Sequence, residues 1–141
     1  MQVREAMAKT ISTAAPDETI ADVAALMKQE DCGFIPIVGG GELVGVVTDR
    51  DLVLRVMANG AAEAPAAIPV GEVMTRSVWS VGTDEPIGAA AHEMAEHGVR
   101  RLPVMEGGRL VGVLSYGNLE QALHAEGAAA AEATLGVTQG A

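Results

Sequence analysis

The chain holds one cysteine, one phenylalanine, one tyrosine and one tryptophan in 141 residues, and each scarcity closes off a class of protein. Cys32 alone leaves no intrachain disulfide and no cysteine-based metal site within one chain. With Phe34, Trp79 and Tyr116 as the whole aromatic set, a core must be filled by Val, Leu, Ile, Met and Ala, which suits helices layered on sheets. Cations are also few, 9 Lys and Arg against 19 Asp and Glu, for a formal net charge of -10 at pH 7. That balance argues against a nucleic-acid polymer as partner, because such affinity comes largely from Lys and Arg neutralising phosphates. A small anionic ligand stays open, since backbone dipoles and local fields decide its binding. No run approaches the ~18 apolar residues of a membrane span, and Met1-Gln2-Val3-Arg4-Glu5 opens a charged, broken pattern without the apolar stretch of a signal peptide. The expectation is a soluble cytoplasmic protein with no membrane partner.

What is present is a repeat. Val3-Arg4-Glu5-Ala6-Met7 returns as Val70-Gly71-Glu72-Val73-Met74, and Asp17-Glu18-Thr19-Ile20 as Asp84-Glu85-Pro86-Ile87. Ile35-Pro36-Ile37-Val38 returns as Leu102-Pro103-Val104-Met105, and the stretch from Gly40 to Thr48 as Gly107 to Ser115. A gapless internal copy is the mark of a repeat architecture. One unit of roughly 55 residues is too small to bury an adequate core easily, so the two copies are expected to pack together.

Each copy reads strand, helix, strand, tight turn, strand, helix. Ile11 to Ala14 is β-prone, and Ile20, Val23, Ala24 and Met27 then fall at helical spacing behind a Thr19-x-x-Asp22 capping box. Ile87, Ala90, Ala91 and Met94 keep that face in the second copy, where Pro86 suits a first helical turn. Phe34 to Val38 and Leu43 to Val47 form a hairpin through Gly39-Gly40-Gly41-Glu42, and Glu106-Gly107-Gly108-Arg109 is the matching turn. Their near-continuous apolar runs imply strands covered on both faces. Helices follow over Asp49 to Ala58 and Tyr116 to Ala125. The copies thus occupy 1–60 and 70–125, with an Ala/Gly/Pro-rich linker at 61–69 and a tail at 126–141 in which a helical segment over Ala128 to Leu135 is expected.

Val-x-x-x-Met, Asp-Glu-x-Ile, Ile/Leu-Pro-Ile/Val and Leu43-Val44-Gly45-Val46-Val47-Thr48-Asp49-Arg50-Asp51-Leu52, in order and mostly in both copies, resemble the tandem CBS-domain pair. The likeness covers about residues 3 to 125 and looks like the small stand-alone CBS-pair proteins of bacteria. It implies an α/β (α+β) fold: two βαββα CBS motifs related by pseudo-twofold symmetry, packed sheet to sheet with helices outside. It also implies clefts for AMP, ADP, ATP, S-adenosylmethionine or dinucleotides, and homodimers assembled through the helices.

Thr48-Asp49-Arg50-Asp51 stands where a strand hands over to a helix, a place where free N–H groups favour a phosphate. The Thr48 hydroxyl can bond a phosphate or ribose, and the Asp51 carboxylate suits ribose hydroxyls; the resemblance makes both positions ligand contacts. The same spacing is a helix cap, and one geometry can serve both. In the second copy Ser115 and Asn118 keep the hydroxyl and lose the charge, while Arg100 and Arg101 offer a phosphate clamp or a solvated pair near Glu93 and Glu96. If clefts pool both copies, as the resemblance implies, Thr48 and Asp51 join Arg76 to Trp79, and Ser115, Asn118 and Arg101 join Lys9 to Ser12, including Thr10. Trp79 then stacks on a purine, fills the pocket or anchors a subunit contact.

No nucleophile and base are paired by any motif. His92, His97 and His124 lack a His-Glu-x-x-His pattern and read as surface residues, so no metal site is expected. Cys32 reads as a small buried hydrophobe, and Gly39-Gly40-Gly41 lacks the Lys-Ser/Thr and helix of a phosphate loop. The sequence therefore points to a protein that is not an enzyme and requires no cofactor. It would be a regulatory, ligand-sensing module that acts in trans on a protein partner; the alternative is a constitutive dimerisation scaffold with vestigial clefts.

Overall fold

The computed structural model describes residues 1–60 and 64–139, with side chains as far as residue 128. Residues 61–63 of the expected linker and 140–141 of the expected tail lie outside the described residues. The chain divides into two compact units. A leading unit is built from Thr10–Val78 and Gly107–Leu110, and a trailing unit from Met1–Lys9, Trp79–Glu106 and Val111 onward.

In the leading unit, helix α2 (Ile20–Glu30) starts at the expected capping box: the Asp22 N–H donates to Thr19 Oγ1 at 3.2 Å, and the Thr19 N–H donates to Asp22 Oδ2 at 3.3 Å. Ile20, Val23 and Met27 are buried as their spacing predicts, whereas Ala24 is exposed. Strands β1 (Phe34–Gly39) and β2 (Glu42–Thr48) pair antiparallel, with Ile35 opposite Val47 and Ile37 opposite Gly45. Gly40 and Gly41 have φ of 60° and 79°, the two positive values that a type I′ hairpin turn requires. Ile35, Pro36 and Ile37 are buried in succession, so both faces of β1 are covered. The expected first strand over Ile11 to Ala14 shrinks to one parallel bridge between Ala14 and Ile37. Its counterpart in the second repeat is β3 (Val81–Gly82), and the β-branched Val81, where the first repeat has Ala14, fits a pleated surface better.

After β2, one turn of α3 (Asp49–Asp51) widens into a π-helix (Leu52–Met57), where the Ala58 N–H reaches back to the Val53 carbonyl at 2.8 Å. Arg55 leaves that helix to donate to the carbonyls of Val73 and Met74, just after a 3₁₀ turn (Val70–Glu72).

The trailing unit repeats the plan with α4 (Ile87–His97), β4 (Arg101–Glu106), β5 (Arg109–Ser115) and α5 (Tyr116–Gln139), in the strand order β3-β4-β5. Pro86 is the N-cap of α4, and Ile87, Ala90 and Met94 are buried, with Ala91 half-buried. Helix α5 does not end near Ala125. It runs unbroken through Gly127 for 24 residues, because the Ala-rich run that follows is the strongest helix former in the chain. No helix among the described residues is long and apolar enough to cross a membrane.

Each unit is closed by the opening segment of the other repeat. Helix α1 (Val3–Ala6) belongs to the first repeat in sequence, yet Val3 is fully buried among Ile87, Leu102, Val104 and Leu114 of the second. Val70 opens the second repeat and is fully buried among Ile35, Ile37 and Val47 of the first. The backbones repeat the exchange: Ala8 and Val113 trade N–H···O bonds of 2.9 and 3.1 Å, and Thr75 and Val46 trade bonds of 2.8 and 3.0 Å. The Met1 ammonium also donates to Glu126 on α5, which raises the ammonium's pKa. That tie therefore holds below the raised pKa and is lost as pH rises through it.

Gly45 and Gly112 make room for this. A Cβ on Gly45 would stand 2.6 Å from Met74 Sδ and 2.9 Å from the Thr75 carbonyl oxygen; on Gly112, 2.7 Å from both Met7 Sδ and the Ala8 carbonyl oxygen. The methionine can swing aside, but the carbonyl is held by the bridge. Gly45→Ala and Gly112→Ala should therefore each destabilise by roughly 1–3 kcal/mol, as overpacking of a filled site does. Urea unfolding checks this, and a loss at only one of the two positions would show that the exchange is not reciprocal.

Candidate ligand-binding site

The two strand-to-helix junctions share one backbone design. At the first, the Asp51 N–H donates to Thr48 Oγ1 at 3.2 Å and the Thr48 N–H donates to Asp51 Oδ2 at 2.9 Å. At the second, the Asn118 N–H donates to Ser115 Oγ at 3.0 Å and the Ser115 N–H donates to Asn118 Oδ1 at 3.2 Å. All four side chains thus cap their own helices, and this satisfies N–H groups that a helix start leaves free. The remaining Asp51 oxygen, Oδ1, stands 3.7 Å from Arg55 Nε on the same helix.

One step earlier the junctions diverge. The Asp49 N–H donates to the Gly33 carbonyl at 3.0 Å, and the Tyr116 N–H donates to the Arg100 carbonyl at 2.7 Å, so these pairs occupy equivalent places. Gly33 has no side chain, and the Asp49 carboxylate lies where a Cβ on Gly33 would be, with Oδ2 only 2.6 Å from that point. Arg100 instead lays its guanidinium 4.9 Å above the centre of the Tyr116 ring, a cation–π contact. Beside Asp49 and Arg50 is a shallow depression of about 360 Å³ floored by Val53 and Leu54. Beside Arg100 and Tyr116 is a wider groove of about 570 Å³ walled by Met94, Leu119 and Leu123.

The sequence-derived candidates fall into two sets. Thr48, Arg50 and Asp51 lie in the leading unit, as do Thr10, Ser12 and Arg76; Arg76 donates to the Gly71 carbonyl at 3.0 Å. Ser115, Asn118, Arg100, Arg101 and Trp79 lie in the trailing unit. Arg100 and Arg101 are exposed and form no salt bridge among the described residues. Glu93 and Glu96, the acids expected near them, pair with histidines instead: Glu93 with His97 at 3.2 Å and Glu96 with His92 at 2.9 Å. Trp79 is 49% exposed and stacks on the His97 ring, centroids 3.6 Å apart and planes 5° from parallel. His97 is accordingly no open surface residue, since 19% of its side chain is exposed. The signal for this cluster was in the sequence as His92-Glu93-Met94-Ala95-Glu96-His97, whose two His/Glu pairs are each four residues apart. Cys32 is half-buried, with its Sγ 3.7 Å from the Phe34 carbonyl oxygen.

The model of the CBS domain family matches residues 3–58 and again 70–125. The CBS domain-containing protein YhcV of Bacillus subtilis is 38% identical over 117 residues, which cover 83% of this chain and 81% of that one. Among solved structures, a protein with CBS domains from Burkholderia ambifaria superposes with a TM-score of 0.81 at 29% identity, over 89% of this chain and 95% of that one. The CBS domain pair of protein MJ0100, solved in complex with 5′-methylthioadenosine and S-adenosyl-L-methionine, superposes with a TM-score of 0.77 at 25% identity, over 87% of this chain and 99% of that one.

The caps set the cost of altering either junction. Thr48→Ala and Ser115→Ala should each lower stability by about 0.5–2 kcal/mol, whereas Asp51→Asn, which retains an oxygen for the Thr48 N–H, should cost less than Thr48→Ala. Denaturant midpoints of the three variants check the order, and an Asp51→Asn loss as large as that of Thr48→Ala would contradict it.

Proposed function

The chain belongs to the CBS-domain family, and on that premise we propose that it is a non-enzymatic sensor. In this reading it binds an adenosine-type ligand (AMP, ADP, ATP or S-adenosylmethionine), works as a cytoplasmic homodimer, and acts in trans on a protein partner. A CBS pair is a regulatory module, and its relative in fold MJ0100 was solved with two adenosyl compounds. The observation that carries the proposal to this chain is the repeated junction, in which a hydroxyl at Thr48 or Ser115 ends an apolar strand and a ribose acceptor stands one turn on.

The mechanism is differential binding. A ligand that favours one packing of the molecule shifts the population toward it by its difference in affinity, and the partner reads the shift. In the proposal, Asp51 receives ribose hydroxyls through the oxygen that the cap leaves free, and a charged acceptor makes that bond stronger than a neutral one. Asn118 lacks the charge, but Arg100 and Arg101 bring cations to its unit for a phosphate. The two sites are therefore unequal, with the leading one better for ribose and the trailing one better for phosphate.

A second reading, a dimerisation scaffold with vestigial sites, is favoured by a specific observation: the caps already use Thr48, Asp51, Ser115 and Asn118, and Trp79 is already stacked on His97.

Titration with AMP, ATP and S-adenosylmethionine, followed by Trp79 fluorescence and the thermal midpoint, separates the two readings. A site filled at one hundred times its Kd adds about 2.7 kcal/mol, and Asp51→Ala removes the share of the leading site. No shift at millimolar ligand, with the dimer intact, contradicts the sensor and leaves the scaffold.

A further inference from the structure

One departure from the repeat that the junctions do not use is on α4. Positions 79, 92, 93, 96 and 97 hold Trp, His, Glu, Glu and His, where the first repeat has Ser12, Ala25, Leu26, Gln29 and Glu30. Helix α2 forms and buries its apolar face without any of them, so the fold does not demand this set. From this geometry we infer that His97, Glu93 and Glu96 form a binding site for a divalent transition-metal ion, with Zn²⁺ as its probe.

One ligand atom from each of the three side chains lies within 4.8 Å of the other two. His97 Nε2 and Glu93 Oε2 are 3.2 Å apart. Two donors held on one zinc by bonds of about 2.0–2.1 Å at a tetrahedral angle are separated by about 3.3 Å, so this edge is already at coordination length. One imidazole nitrogen with two carboxylates is a donor set that suits zinc and its neighbours, while magnesium and calcium prefer oxygen alone. The positions i, i+3 and i+4 place all three on one side of the helix.

Two further contacts hold the donors in place. Trp79 covers one face of the His97 ring and fixes its plane, leaving Nε2 directed to the Glu93 carboxylate. His92 Nε2 lies 2.9 Å from Glu96 Oε2, so it steadies that carboxylate from outside, as neighbours of metal ligands do. Glu93 is 35% and Glu96 56% exposed at the side chain, which leaves the open positions of the ion to water.

The test uses the full chain after chelator treatment. Zn²⁺ is titrated calorimetrically, and Co²⁺, an open-shell ion that quenches indole fluorescence at contact range, is followed at Trp79. The expected result is one saturable ion per chain, with Co²⁺ quenching reversed by Zn²⁺ and no response to Mg²⁺. Glu93→Gln, which keeps the Trp79 stack, should weaken Zn²⁺ by at least about tenfold and His97→Gln by more; His92→Gln should weaken it by about tenfold. Glu42→Gln, an exposed carboxylate on β2, should leave affinity unchanged. Zn²⁺ binding that is unaltered in Glu93→Gln, or the absence of saturable heat and quenching at millimolar ion, would overturn the inference.

Discussion

The structure depends on a backbone exchange: the first few residues of each repeat leave the rest of their repeat and complete the unit built mainly from the other. Val3 and Val70 are each fully buried in the other repeat's core, worth roughly 1.5–3 kcal/mol apiece. The paired N–H···O bonds at Ala8/Val113 and Val46/Thr75 add about 0.5–1.5 kcal/mol each. A repeat of this size is short of core, and the exchange supplies a buried valine, a methionine and an extra backbone pairing without lengthening the chain. Gly45 and Gly112 are the condition for it, since the carbonyls of Thr75 and Ala8 come too close for any side chain there.

With the backbone so constrained, the repeats are free to differ in chemistry. The caps at Thr48/Asp51 and Ser115/Asn118 superimpose in role, as do the N–H bonds from Asp49 and Tyr116, while the side chains above them do not. A carboxylate folds over Gly33 in one unit, and a guanidinium lies over an aromatic ring in the other. Divergence on a common frame is how one fold carries two different sites. The His/Glu set on α4 is a third difference, placed on a helix whose buried face is unchanged.

Much of this was legible in the sequence because it is local. The Gly-Gly turns, the Thr19 capping box and the α4 face of Ile87, Ala90 and Met94 follow from residues a few positions apart, and the family from their repetition. What was not legible depends on distant partners or on competing local preferences. Nothing near Val3 states that it packs beside Leu114, and nothing near Trp79 states that its ring meets His97. The strand over Ile11 to Ala14 fails because Ala14 has little β preference, and α5 passes Gly127 because the alanines beyond outweigh one glycine. The junction residues were legible as a pattern, but Thr-x-x-Asp is the spacing of both a cap and a ribose contact, and residue types alone do not separate the two.

The most direct test of the exchange is amide hydrogen exchange on the chain lacking residues 1–9. If the first repeat's opening segment closes the second repeat's unit, the loss of protection falls at Leu102, Val104 and Leu114, more than sixty positions away in sequence, while Ile35, Ile37 and Val47 remain protected. Loss of protection centred on Ile35, Ile37 and Val47, with the second repeat unchanged, would contradict the account.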